Sequence, residues 1–280
     1  MKIILLCLSL VFSTIYHQDS NYQENKNLYS EYRNYKKQDY HRIEKLRILN
    51  NYTPLEAINI YYTQSFTKPI FPNYYLTLTN KYFKYDEIPP SLVSIDEYKI
   101  MYPSILKTTK DGLSLDKETL HAYIKMIEEL SRHYACIKNL YIFSGYRDKE
   151  YQKVIYDRSL DKSYVAYPGY SEHHTGLAID ISTLNFGLTK HFEDSEEFKI
   201  LSKECAKYGF ILRYEKDKVD ITGYSYEPWH FRYVGVQNSL YIYKHNLTLE
   251  EYILQNFEIW NLNMINFFFN IQINFYFINF

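Results

Sequence analysis

Three cysteines are all that the 280 residues contain, too few for the disulfide framework on which small secreted scaffolds rely. Cys136 follows a helical pattern and Cys205 lies within another, in a region large enough to build its own core, so both are expected to be free thiols. Cys7 is not preceded by the small residue that lipoprotein signals share. Surplus charge is missing too: 32 Lys and Arg against 33 Asp and Glu leave a formal net charge of −1. With the two signs interleaved, no polyanion-binding surface is expected, and nucleic acid is excluded as a partner. Long apolar runs are absent. Ile3 to Phe12, behind Lys2, is too short to span a bilayer and fits the apolar stretch of a secretory signal. Residues 1–16 are therefore expected to export the chain or anchor it at the outer face of the cytoplasmic membrane. Residues 17–75 are polar, with little apolar periodicity before Ile43, and read as a partly helical spacer in which Thr53-Pro54-Leu55-Glu56 starts a short helix. The tail, 256–280, is rich in Phe and Ile but broken by Asn; it is too polar for a membrane helix and receives no function. Tyrosine, by contrast, is abundant at 33 residues, and with the plentiful Asn, Ile, Lys and Phe this reads as the compositional bias of an AT-rich genome.

Between these flanks, residues 76–255 carry regular patterns. Ile88-Pro89-Pro90-Ser91-Leu92-Val93 is extended. Leu120, Tyr123, Ile124, Ile127, Leu130 and Tyr134 recur at helical spacing behind Asp116, a natural N-cap. Asn139 to Phe143 reads as a strand that delivers Ser144-Gly145-Tyr146-Arg147 to the start of a helix carrying Tyr151, Val154 and Ile155. Asp194-Ser195-Glu196-Glu197 caps a helix that buries Phe198, Leu201, Cys205 and Tyr208 and stops at Gly209. Phe210–Tyr214 and Val219–Tyr224 are strand-like around the charged turn 215–218, which predicts a hairpin. Residues 236–245 close the region with Leu240 and Tyr243 at helical spacing, and Thr248-Leu249-Glu250-Glu251 repeats the capping device. Strands in adjacent runs with helices outside predict an α+β fold on a central antiparallel sheet.

The chemistry-bearing residues fall in two stretches, 170–180 (Tyr170-Ser171-Glu172-His173-His174-Thr175-Gly176-Leu177-Ala178-Ile179-Asp180) and 227–235 (Glu227-Pro228-Trp229-His230-Phe231-Arg232-Tyr233-Val234-Gly235). An Asp ending an apolar strand is costly to bury unless paired or metal-bound. A lone His among aromatics, such as His230, is more often a hydrogen-bonded core residue, but the two stretches together offer two His and one Asp with a spare Glu. That is a catalytic zinc set, because three protein ligands leave the fourth position open for water. Strand alternation would put residues 174, 176, 178 and 180 on one face and favour His174 over His173. Gly176 within the run marks a bulge or bend that would break that alternation. Arg147 sits at a strand-to-helix junction. A surface salt bridge is the commonest fate of such a residue, although its guanidinium fork also matches a free carboxylate. Gln152, on position alone, is a solvated helix residue.

Taken together, Ser144-Gly145-Tyr146-Arg147 with Gln152, then Ser171-x-His173-x-x-Gly176-x-Ala178-x-Asp180, then Glu227-x-x-His230, resemble the VanY-type D-alanyl-D-alanine carboxypeptidase family of zinc peptidases over roughly residues 76–253. The resemblance implies a fold of the lysostaphin, D-Ala-D-Ala peptidase and hedgehog kind, with the metal site on the sheet. It implies His173, Asp180 and His230 as zinc ligands and Glu227 as catalytic base. Arg147, Gln152 and Ser171 would hold the substrate, a peptidoglycan stem peptide losing its C-terminal D-alanine. The family position after the first ligand is commonly Gln, and here it is His174. Three other readings share the scaffold: an L,D-carboxypeptidase acting on tetrapeptides, a cell-wall endopeptidase that needs no carboxylate anchor, and a non-catalytic metal-binding module. No obligate protein partner is evident.

Overall fold

The computed structural model describes residues 74–253. The export segment 1–16 with Cys7, nearly all of the spacer 17–75 with its Thr53 cap, and the tail 256–280 lie outside the described residues.

The floor of the fold is a four-stranded antiparallel sheet in the order β3-β4-β6-β5, formed by Leu140–Ser144 (β3), Ala178–Thr183 (β4), Phe210–Leu212 (β5) and His230–Tyr233 (β6). A short hairpin-like pair, Leu92–Ser94 (β1) with Ser114–Asp116 (β2), lies apart from it in a second sheet. In register, Ile179 faces Phe231 and Leu212 faces Phe231, while Asp180 faces His230 and Ile211 faces Arg232. Successive side chains alternate between the faces of a strand. One face of this sheet therefore presents Leu140, Ile142, Ile179, Ile181, Phe210 and Phe231 to the hydrophobic core. The other presents Asp180, His230 and Arg232, all buried. A polar face that is nevertheless buried must satisfy its charges from within, and this is where the chemistry collects.

Helix Lys117–Ser131 (α2, after the short α1 at Ile95–Lys99) packs Leu120, Tyr123, Ile124, Ile127 and Leu130 into the core. Its N-cap is Asp116, which accepts from the backbone N–H groups of Glu118 and Thr119 at 3.1 Å each. Tyr134 lies beyond the helix end and is exposed. Helix Glu196–Glu204 (α4) is capped by Ser195, buries Phe198 and Leu201, and runs into a 3-10 turn ended by Gly209 at φ 92°. Cys136 and Cys205 are free thiols. Near the C-terminal end, Thr248 Oγ1 accepts from Glu251 N–H (3.1 Å) and Glu251 Oε2 accepts from Thr248 N–H (2.8 Å), a reciprocal capping box.

Four expectations are corrected. Residues 219–222 form a short helix (α5) closed by Gly223 at φ 77° and not the second strand of a hairpin; β5 instead pairs with β6. In helix Lys149–Arg158 (α3) the apolar Tyr151 and Val154 face outward, and Gln152 is the buried residue. Its Nε2 donates to Ala166 O at 2.7 Å, so this face is covered by a loop whose backbone needs polar partners. In helix Val236–His245 (α6) Leu240 and Tyr243 are likewise exposed, while Ser239 and Ile242 are buried. Lastly, residues 172–175 are a 3-10 turn and not a strand extension, so the alternation that favoured His174 does not apply.

Candidate metal centre

The turn Glu172–Thr175 is built locally. Ser171 is its N-cap, its Oγ accepting from His173 N–H at 3.4 Å, and Gly176 ends it at φ 69°. A side chain at Gly176 would be strained by that backbone and would meet Leu92 Cδ2 at 2.8 Å and Asp116 N at 3.1 Å. The turn lays His173 over the polar face of the sheet, beside the registered pair Asp180 and His230. His173, Asp180 and His230 are all buried, and one donor atom from each lies within 4.8 Å of the others. His173 Nε2 is 3.2 Å from Asp180 Oδ2, and His230 Nδ1 is 3.0 Å from Asp180 Oδ1. Donors spread tetrahedrally around an ion at zinc–ligand distances stand about 3.3 Å apart, and each histidine nitrogen lies at about that distance from one of the two Asp180 oxygens.

The hydrogen bonds of each ring indicate which nitrogen is free. His173 Nδ1 is 2.6 Å from Gly145 O, which calls for a proton there and leaves Nε2 as a lone pair. That Nε2 is buried with no hydrogen-bond partner of acceptable geometry among the described residues, an orphan that a metal ion would satisfy. The close approach of Gly145 depends on its lacking a side chain, since a Cβ would collide with the carbonyl oxygen of Ser114. His174 is fully engaged: Nδ1 lies 2.7 Å from Arg147 O, and Nε2 accepts from Gly169 N–H at 2.9 Å. It has no lone pair to offer, so the geometry favours His173.

Electrostatics follow from burial. Desolvation, reinforced by the Arg147 charge and opposed by Asp180, lowers the His173 pKa to about 4, which keeps the ring neutral and ready to ligate. Burial alone would raise Asp180, but His173 and His230 outweigh it and hold the carboxyl well below the usual range. Burial would lower His230, yet its bonds to Asp180 and Glu172 raise it to about 9. Glu227 sits on the turn entering β6, its N–H bonded to Tyr214 O (3.1 Å) and its O to His230 N–H (3.2 Å). Its Oε2 is 3.9 Å from His230 Nδ1, outside the donor group. Burial pushes its pKa up to about 8, against the lowering influence of His230. A carboxyl poised near neutrality beside a metal-ligand group is what a general base requires.

Arg147 is tied to the same turn by its backbone, its N–H donating to His173 O at 3.1 Å and its O receiving His174 Nδ1. Its Nε is buried without a hydrogen-bond partner among the described residues, and the charge interacts with Asp180 and Glu227. Gln152 Oε1 is likewise buried and unpartnered among the described residues. The sequence reading passed over Glu172, Arg213 and Arg232, which are fully buried behind the histidines and joined by ion pairs of 2.8 and 2.9 Å. For Arg232, inside β6, the available signal was the same as for Asp180: a charge inside an apolar strand must be paired.

The fold and its donor group define a class, the zinc peptidases of hedgehog and D-Ala-D-Ala peptidase architecture. Residues 112–236 match the family model described as VanY, D-alanyl-D-alanine carboxypeptidase. The chain is 42% identical over 144 residues to VanXYC of Enterococcus gallinarum, a bifunctional D-Ala-D-Ala dipeptidase and carboxypeptidase, covering 46% of this chain and 73% of that protein. It is 49% identical over 118 residues to YodJ of Bacillus subtilis (strain 168), covering 39% of this chain and 43% of YodJ, and so spans less than half of that relative. Among solved structures, the LdcB LD-carboxypeptidase is similar at 38% identity and a TM-score of 0.56, over 66% of this chain and 87% of that one. The chain belongs to the VanY-type D-alanyl-D-alanine carboxypeptidase family.

Proposed function

We propose that this protein is a zinc-dependent carboxypeptidase that removes the terminal D-alanine of peptidoglycan stem peptides, acting outside the cytoplasmic membrane. His173 through Nε2, Asp180, and His230 through Nδ1 would hold the ion. When bound there, zinc polarises a carbonyl and makes water acidic near neutral pH. The remaining work belongs to the chain. Glu227 takes the proton of the attacking water and passes it to the leaving amine. The Asp180 carboxylate balances the charge of the site, and Arg147 receives the terminal carboxylate of the peptide.

The observation that carries this reading is the Arg147 guanidinium, which has a buried Nε without a hydrogen-bond partner among the described residues and is held by its own backbone against the turn that bears His173. A carboxypeptidase needs such a cation, and an endopeptidase does not. VanXYC acts on D-Ala-D-Ala and LdcB is an LD-carboxypeptidase, so relatives support both bond types; the D,D bond is favoured here because the matching family model bears that activity. Incubating the purified protein with stem tetra- and pentapeptides, free and C-terminally amidated, and weighing the products tests each part. Loss of one alanine from the free pentapeptide alone is expected. Loss from the tetrapeptide alone would move the assignment to the L,D bond, and equal cleavage of amidated peptides would refute the clamp. Export is checked by fractionation, where full-length protein confined to the cytosol would refute it.

A further inference from the structure

Behind His230 lies a chain of charges with no exposure to solvent. Glu172 Oε1 accepts from Arg213 Nε at 2.8 Å and from Arg232 Nη1 at 2.9 Å. The other guanidinium nitrogens of Arg213 bond Glu250 Oε2 and Oε1 at 2.8 and 2.6 Å. Arg232 Nη2 donates to Thr77 O and Tyr75 O at 2.8 and 3.1 Å. Asn80 Nδ2 donates to Glu250 Oε1 at 3.2 Å. Two acids and two bases balance, and the arginines consume one oxygen of Glu172 completely. Among the described residues the second oxygen, Oε2, bonds a single group, His230 Nε2, at 3.4 Å.

We infer that Glu172 is a positioning residue for the metal centre, holding the proton of His230 on Nε2 so that the Nδ1 lone pair is presented to the ion beside Asp180. Metal-bound imidazoles are oriented by the partner of their second nitrogen. Here that partner is a carboxylate whose other oxygen is already held by the two arginines, so the ring is met by an acceptor in a fixed place. The assignment rests on the zinc-site reading given above. It goes beyond neutralising two buried arginines, a role that any group accepting their hydrogen bonds could fill.

The isosteric change Glu172→Gln separates the two roles. The amide oxygen would stay with the two guanidinium groups, since the amide NH₂ cannot face them. That NH₂ would then point at His230 Nε2 and donate to it, which drives the ring proton onto Nδ1, where the metal should bind. Competition of the full-length protein against a zinc chelator is expected to show at least about tenfold weaker zinc binding in Glu172→Gln. Unchanged affinity in a folded variant would overturn the inference and leave Glu172 a charge partner only. Should the variant fail to fold, ¹⁵N spectra of the zinc-loaded wild type decide: a slowly exchanging His230 Nε2–H supports the assignment and a proton on Nδ1 overturns it. A wild type that takes up no zinc refutes both the site reading and this inference. Zinc uptake without stem-peptide cleavage refutes the proposed reaction alone.

Discussion

Replacing Glu227 by Gln preserves the shape of the site and removes both its charge and its basicity. Glu227 is buried and stands outside the donor group, 3.9 Å from His230 Nδ1, so the variant should bind zinc at the stoichiometry of the wild type. Loss of a general base costs about 10²- to 10⁴-fold in turnover, and that loss is expected on the free pentapeptide. The same burial has a second consequence that needs no substrate. With a folded pKa near 8 against an unfolded value of 4.5, the native state holds a proton that the unfolded chain releases. Below about pH 4.5 this costs nothing; as pH rises towards 8 stability drains away, and at pH 7 the loss amounts to about 3 kcal/mol. Metal-free Glu227→Gln, which never ionises, should therefore match the metal-free wild type near pH 4 and exceed it by up to about 3 kcal/mol at pH 7. Urea unfolding at both pH values, with metal analysis and product mass spectrometry on the loaded proteins, tests all of this. Full activity in the variant would refute the base assignment. A stability gap that does not widen between pH 4 and 7 would refute the argument from burial.

The histidine pair is separable: His173→Ala should lose stoichiometric zinc, whereas His174→Ala should keep it and lose about 2 kcal/mol of stability, since Gly169 N–H and Arg147 O are left without partners. Metal analysis with thermal unfolding reports both, and the reverse pattern would make His174 the ligand. Arg147→Ala should lower kcat/KM on the free pentapeptide at least about tenfold, the effect of leaving a peptide carboxylate unpaired, and should change little on any amidated peptide that is cleaved. Gly176→Ala combines a left-handed backbone with a 2.8 Å approach to Leu92, and a stability loss of about 1 to 3 kcal/mol is expected in urea titration.

What the amino-acid sequence determined by itself is local. Asp116, Ser195 and the Thr248/Glu251 pair are caps because a side-chain oxygen reaches N–H groups two or three residues away, and Gly209 stops a helix because it alone tolerates that backbone at no cost. The apolar run that ends at Asp180 likewise marked a strand whose terminal acid needs a partner. Tertiary structure decided the rest, through contacts between distant parts of the chain. Sheet register sets Asp180 opposite His230, fifty residues on. The 3-10 turn with Gly176 in the left-handed region, packed against Leu92 and Asp116, presents His173 Nε2 to the donor group and commits His174 to Arg147 and Gly169. Gln152 is buried because a loop covers its helix face, while residues 219–222 wind into a helix and leave β5 to pair with β6. Burial is a property of the assembled sheet and not of any residue type. Only there do Arg213, Arg232 and Glu172 become obligatory partners beside the histidines, and only there is Glu227 desolvated enough for its pKa to rise to about 8.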